Sequence, residues 1–148
     1  MKNSRSKTPS VSFVLKKISD DKSLALFNSI AIADGDKYIA LKEMNLSSKQ
    51  YYSRISGLMD AGLIKKHQRC FSLTSFGKAV YNSQMRMSKA LSYYWKLKAI
   101  ESFQMSAPHS ELPEQEMAKI INALIDNHQI KDTLMNSLSI AVKDVEKL

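Results

Sequence analysis

Apolar residues recur at helical spacing along most of this chain. Residues 19–21 offer side chains that cap a helix, and the helix behind them has one apolar face, formed by Leu24, Phe27, Ile30 and Ala31. Residues 34–36, a glycine between two aspartates, predict its end. A short second helix is predicted over residues 38–44. Residues 11–18 are ambiguous, because their apolar positions alternate as in a strand although the run is short.

The third predicted helix has the clearest apolar stripe. Ser47 or Ser48 caps its start, and Gly62 follows its last residue, Ala61, as a left-handed C-terminal residue. The stripe repeats at i, i+4, i+7 and i+8, and it consists of Tyr51, Ile55, Leu58 and Met59. We therefore expect this side of the helix to face the core.

A β-hairpin and a long helix follow. Residues 63–67 and 70–74 predict two short strands around a two-residue turn, although the turn lacks the Asn-Gly or Asp-Gly pair typical of hairpins. Thr74 or Ser75 then caps a helix that continues to about Met105. Such a helix would be about 42 Å long, more than a small domain needs for its own core.

Residues 107–113 predict a break, and two amphipathic helices follow it. The apolar face of the first consists of Met117, Ile120, Ile121, Leu124 and Ile125. The second has a spacing like that of a coiled-coil seam, and its apolar residues are Ile130, Leu134, Leu138, Ala141, Val145 and Leu148. Together the elements predict a mainly α fold with a small β-hairpin.

Charge is unevenly distributed along the 148 residues. The formal net charge is +8, yet residues 1–105 carry 18 basic and 7 acidic side chains, whereas residues 106–148 carry 4 and 7. A basic body suggests a polyanionic partner such as nucleic acid. The acidic, apolar tail suits association between helices better.

Cysteine usage and hydropathy suggest a compartment. The single cysteine, Cys70, excludes an intramolecular disulfide and fits a reducing cytoplasm. The longest uncharged apolar stretch, residues 23–33, is too short to span a bilayer, and no signal-peptide core follows the N-terminus. We therefore expect a cytoplasmic protein.

Two short sequences carry a family resemblance over roughly residues 20–82. Residues 58–64 read Leu-Met-Asp-Ala-Gly-Leu-Ile and residues 71–77 read Phe-Ser-Leu-Thr-Ser-Phe-Gly. In the order helix, short helix, helix, hairpin, helix, this segment resembles winged helix-turn-helix regulators of the archaeal and bacterial kind. The runs at residues 49–54 and 94–97 look most like small archaeal transcriptional regulators.

The resemblance implies a function and a domain layout. The third helix would enter the major groove of DNA, with the hairpin as a wing beside it. Residues 1–18 would be a basic arm and lead-in segment, and residues 19–82 the winged helix-turn-helix DNA-binding domain. Residues 83–148 would be a long helix and a C-terminal helical dimerisation region.

A helical wheel of the third helix places polar residues on the side that would contact DNA. If the apolar stripe faces the core, Lys49, Ser53 and Ser56 point outward, Gln50 and Gly57 lie beside them, and Tyr52 and Arg54 flank them. We expect base-edge contacts from Lys49, Gln50 and Ser53. We expect phosphate or sugar contacts from Tyr52, Arg54 and Ser56, and close approach of DNA at Gly57. The alternative is a merely solvated helix face.

Further cations lie at the hairpin and at the N-terminus. We expect the wing to touch backbone phosphates through Lys65, Lys66, His67 and Arg69. The alternative is an exposed edge strand protected by lysines. A basic arm with Lys2, Arg5 and Lys7 would add a minor-groove contact.

The long helix suggests a homodimer. Its apolar residues Met87, Leu91, Tyr94 and Leu97 exceed what one small core can bury, so we expect them at a two-fold interface. Alternatively, the tail helices fold back on the long helix of the same chain. The nearby methionines and aromatic residues are interpreted as core or interface rather than as the lining of an effector pocket.

The sequence offers fewer residues for metal binding or catalysis. His67 and Cys70 are close in sequence, but with His109 and His128 elsewhere they predict no metal site. No catalytic grouping and no phosphate-binding glycine loop is present, so we expect neither an enzyme nor a bound cofactor. The alternative to a DNA-binding regulator is a winged-helix adaptor that binds proteins without reading DNA sequence.

Overall fold

The protein is mainly helical, with one small antiparallel hairpin. The computed structural model describes residues 8–35, 44–105 and 113–145, with side chains up to residue 138. In these ranges the elements are α1 (Val11–Lys17), α2 (Asp21–Ala33), α3 (Ser48–Asp60), β1 (Ile64–His67), β2 (Cys70–Leu73), α4 (Ser75–Ser92), α5 (Tyr94–Met105), α6 (Glu114–Leu124) and α7 (His128–Val145). None of the helices in these ranges has both the length and the hydropathy needed to cross a membrane.

The structure resolves the ambiguity of the first segment as a helix. Ser10 caps α1 by accepting a hydrogen bond from the Phe13 N–H. Val14 and Ile18, four residues apart, are both buried. Burial at this spacing requires a helix, since a strand would place them on one face together with residue 16, and Lys16 is exposed.

The ends of α2 and α3 follow the sequence signals. The Asp20 carboxylate caps α2, and Asp34 ends it with a left-handed φ of 43°. Ser47 and Gln50 form a reciprocal capping box at the start of α3, and Gly62 has a φ of 72° beyond its end. The short helix predicted over residues 38–44 lies outside the described residues, apart from Met44, which is in a turn.

The first core joins α1, α2, α3 and the hairpin. Its buried side chains are Val14, Ile18, Leu26, Phe27, Ile30, Leu46, Tyr51, Ile55, Leu58, Ala61, Leu63, Ile64 and Leu73. Met59, predicted as part of the α3 stripe, is instead 42% exposed. The reason is geometric, because eight residues at 100° per residue bring Met59 about 80° away from Tyr51.

Thr74 connects the hairpin to α4. The strands pair in the predicted register, with Ile64 opposite Leu73 and His67 opposite Cys70. The Thr74 hydroxyl donates to the Gly62 carbonyl and accepts from the Gly77 N–H at 2.8 Å. Its backbone N–H donates to the Leu63 carbonyl at 3.1 Å. One residue therefore ends the sheet, caps α4 and holds both against the end of α3.

The prediction of a single long helix after the hairpin is wrong, because the structure has two helices that are divided at Tyr93. The Ser92 hydroxyl donates to the Lys89 carbonyl at 2.6 Å, the acceptor that a continuous helix would use for the Tyr93 N–H. The Tyr93 N–H donates instead to the Ala90 carbonyl, and α5 begins after it.

The described residues fall into two compact units, one within Met1–Met85 and one within Arg86–Leu148. The second has its own core, in which Ile100 of α5 packs with Met117, Ile121 and Ile125. Leu97, Leu124, Ile130, Leu134 and Leu138 pack around this core. The tail helices thus pack on α5 of the same chain. The predicted break before them lies outside the described residues, except Pro113, which precedes α6.

Candidate nucleic-acid interface

The outward side of α3 is a polar surface with the predicted orientation. Tyr51, Ile55 and Leu58 are at most 4% exposed and face the first core. On the opposite side, the exposed residues are Lys49, Tyr52, Ser53, Ser56, Met59 and Asp60. We call Lys49, Ser53 and Ser56 the outer face of α3. Asp60, its neighbouring carboxylate, lies at the C-terminal end of the helix.

Gln50 is engaged in the capping box. Its Oε1 accepts from the Ser47 N–H, and its own N–H donates to Ser47 Oγ, both at 3.2 Å. Bidentate pairing with adenine uses the amide oxygen as well as the amide nitrogen. The predicted base contact by Gln50 would therefore require the capping box to open.

Arg54 ties α3 to the start of α2. Its Nη2 lies 3.2 Å from Asp20 Oδ1, and its Nη1 donates to the Gln50 carbonyl at 3.4 Å. The Arg54 side chain is only 24% exposed. The guanidinium predicted to contact phosphate is thus held against a carboxylate within the protein.

The same carboxylate makes folding sensitive to acid. Hydrogen bonds from Ser23, helped by the Arg54 guanidinium, lower the pKa of Asp20 from 3.8 to about 2. Because the folded-state pKa lies below the unfolded one, the charged Asp20 stabilises the fold above about pH 4, and this contribution is lost as pH falls towards 2.

Asp20→Asn is expected to reduce this acid sensitivity. Asparagine caps helices about as well as aspartate, so the variant keeps the cap and loses the titrating charge together with the ion pair to Arg54. We expect the melting temperature of the wild type to fall more steeply than that of the variant between pH 5 and pH 2.5, as measured by circular dichroism. Parallel curves would show that Asp20 does not contribute. Asp21→Asn is the matched control.

The structure contradicts the prediction that DNA approaches α3 closely at Gly57. Gly57 is buried, and a Cβ added there would lie 3.2 Å from Lys17 Cδ and 3.6 Å from Lys17 Nζ. The space expected to admit nucleic acid is therefore occupied by the Lys17 side chain, which reaches from α1 across α3. Sequence analysis had not included Lys17 in the site, since α1 was not expected beside this helix.

The hairpin carries cations at its exposed end. Lys65, Lys66, His67 and Arg69 are all exposed, while Ile64 at the start of β1 is buried. An open cleft of about 530 Å³ separates α3 from the hairpin. Its lining consists of Tyr51, Tyr52, Lys66, Gln68, Arg69 and Phe71. Tyr52 thus faces the hairpin cations across one flank of the outer face of α3.

The residues predicted to form a dimer interface differ in how exposed they are. Met87, Leu91 and Tyr94 are 62%, 66% and 47% exposed. Leu97, expected with them at an interface, packs instead against the second core. Trp95, one of the aromatic residues interpreted as core or interface, is 80% exposed. An unpartnered apolar surface therefore lies near the junction of α4 and α5.

The described ranges contain no cluster of side chains that could bind a metal ion. His67 and Cys70 are cross-strand neighbours, but no three His, Cys, Asp or Glu side chains among the described residues are grouped to hold an ion. His109 and the basic arm residues Lys2, Arg5 and Lys7 lie outside the described residues.

Comparison with known proteins identifies no relative. No family model, no curated protein and no solved structure matches the chain. Inferences about function therefore rest on the residues and geometry described above.

Proposed function

We propose that the protein is a homodimeric transcriptional regulator of the winged helix-turn-helix class that binds double-stranded DNA sequence-specifically. The observation that carries this proposal is the outer face of α3. It is polar, exposed and backed by a buried apolar stripe, and an exposed basic hairpin lies across a cleft from it.

In this proposal α3 is the recognition helix. A helix in the major groove contacts base edges from the side opposite its core packing. Lys49 and Ser53 are exposed there and supply an ammonium and a hydroxyl, which suit the acceptors of a base pair. Tyr52 and Ser56 reach the sugar–phosphate backbone beside them.

The hairpin is the wing. Lys65, Lys66 and Arg69 neutralise phosphates, with a contribution that depends on salt and not on sequence, and His67 contacts the backbone beside them. Because the strands have four residues each, the wing is suited to backbone contact rather than deep insertion into the minor groove.

The exposed apolar residues Met87, Leu91 and Tyr94 favour a homodimer. A two-fold interface there would bury side chains that a monomer leaves in water. It would also set the distance between two DNA half-sites, near one helical turn of about 34 Å.

Selection of bound duplexes from a random pool tests the proposal. We expect a two-fold symmetric sequence, and light scattering at micromolar concentration should give the mass of a dimer. Lys49→Ala should reduce preference for the selected sequence, at a cost of about 1–3 kcal/mol. Lys66→Ala should weaken binding to all sequences equally and flatten the salt dependence.

The same experiment identifies the alternative. A protein-binding adaptor would enrich no sequence, and its weak DNA affinity would not change with Lys49→Ala. Lys131→Ala on α7 is a matched control, because it removes a lysine that belongs neither to α3 nor to the hairpin. Enrichment of a sequence without symmetry, together with a monomeric mass, would retain DNA reading and contradict the dimer.

A further inference from the structure

We propose that Lys17, at the end of α1, contacts a DNA phosphate on the side of α3 opposite the wing. The inference rests on the proposed function, because it concerns how α3 is held in the major groove. It adds a backbone contact from a helix that precedes the predicted DNA-binding segment.

The position of Lys17 is defined by two contacts. Its stem lies over Gly57, where the absence of a side chain lets α1 approach α3 closely. Its Nζ lies 5.1 Å from the centre of the Phe13 ring, one turn earlier on α1. A cation over an aromatic face is attracted to it. The ammonium is therefore held beside α3 instead of extending freely into solvent.

The position of Gly57 on α3 shows which flank of the outer face Lys17 occupies. Gly57 and Tyr52 are five residues apart, which places them about 140° apart around the helix axis. Lys49, Ser53 and Ser56 lie within that arc, so the outer face of α3 has Lys17 on one flank. Tyr52, which shares a cleft with Lys66 and Arg69 of the hairpin, is on the other.

A helix in the major groove has a sugar–phosphate backbone on each side of it, since the groove is about 12 Å wide. Cations on both flanks of α3 would thus face the two strands of the duplex. The wing would hold one strand and Lys17 the other. Such a pair fixes the depth and orientation of the helix without reading bases.

Neighbouring charges leave the Lys17 cation available. Asp20, the nearest acid along the chain, has Arg54 as its ion-pair partner at 3.2 Å. Arg54 therefore serves inside the protein, and Lys17 takes the phosphate role that the sequence had suggested for Arg54. Lys16, the other base in the last turn of α1, is exposed beside it.

Salt dependence of DNA binding tests the inference. Lys17→Met removes the charge and keeps a long apolar stem over Gly57. With a duplex of about 25 base pairs carrying the selected sequence, we expect the slope of log K against log salt to become less steep by about 0.9. The preference for the selected sequence over a random duplex should be unchanged, and Lys17→Arg should retain the wild-type slope.

Two matched variants make the result decisive. Lys66→Met on the wing should flatten the slope by a similar amount. Lys78→Met should leave it unchanged, because α4 lines an open cleft with Val11 and Leu15, which lie on the side of α1 away from Lys17. Equal melting temperatures would show that Lys17→Met folds normally.

The outcomes separate this inference from the proposed function. If the wild type binds the duplex and Lys66→Met flattens the slope while Lys17→Met does not, the Lys17 contact is excluded and the proposed function stands. If the wild type binds no duplex at low salt, both are overturned.

Discussion

Gly77→Ala is expected to destabilise the first unit by about 3 kcal/mol, a large part of the stability of a small domain. A Cβ at this position would lie 1.9 Å from the Leu63 carbonyl oxygen and 2.9 Å from its carbon. These are backbone atoms, so no side-chain rotation relieves the overlap. The start of α4 would have to move away from the end of α3, and the hydrogen bond from Gly77 to Thr74 would be strained.

Urea denaturation followed by circular dichroism measures the loss, and Gly57→Ala is the matched control. The three atoms nearest to a Cβ added at Gly57 all belong to the Lys17 side chain, which can shift, and alanine favours a helix interior by up to about 1 kcal/mol over glycine. We therefore expect opposite signs for the two changes. Equal stability of Gly77→Ala and the wild type would contradict the close packing of α4 on Leu63.

Ile121→Ala is expected to unfold the second unit while the first stays folded. Ile121 is 1% exposed, in a core with three other buried residues. Removing a buried isoleucine side chain costs about 3 kcal/mol, and a core of this size has little stability to spare. The first unit has separate buried residues, so its helices should keep their protection.

Amide hydrogen exchange measured by mass spectrometry distinguishes the units. Protection should be lost in α6 and α7 and retained in α2 and α3. Ile120→Ala, at a partly buried position of the same helix, should have a smaller effect of about 1 kcal/mol. Loss of protection throughout the chain would show one cooperative unit and contradict the prediction.

The sequence predicted the local elements where a single physical signal dominated. The apolar stripe of α3 and the serine before it were sufficient to place this helix and its buried side. Gly62 marked its end because a left-handed residue was needed there. The hairpin followed from two short segments that predict strands around Gln68 and Arg69, even without a typical turn sequence.

The features that the sequence did not predict are mainly contacts between residues far apart in the chain. The ion pair of Arg54 with Asp20 joins residues 34 positions apart, and no local pattern indicates it. Likewise, Lys17 and Gly57 meet only because α1 packs on α3. The division at Tyr93 lies beside one serine hydroxyl bond in an otherwise good helical sequence.

The candidate site was therefore predictable as a surface but not residue by residue. Helical periodicity identified Lys49, Ser53 and Ser56 as outward. It could not show that Gln50 and Arg54, on one flank of this surface, make hydrogen bonds within the protein. The role of each polar group depended on its nearest partner, which only the packed structure provides.

The capping box of α3 has a consequence for the bases that this helix selects. If α3 reads DNA as proposed, the amide oxygen of Gln50 is already occupied by the Ser47 N–H, and Lys49 becomes the main base-directed donor of the first turn. A lysine ammonium favours guanine, whose O6 and N7 are both acceptors in the major groove. Each half-site should then contain a guanine opposite the start of α3, with looser requirements at the adjoining base pairs.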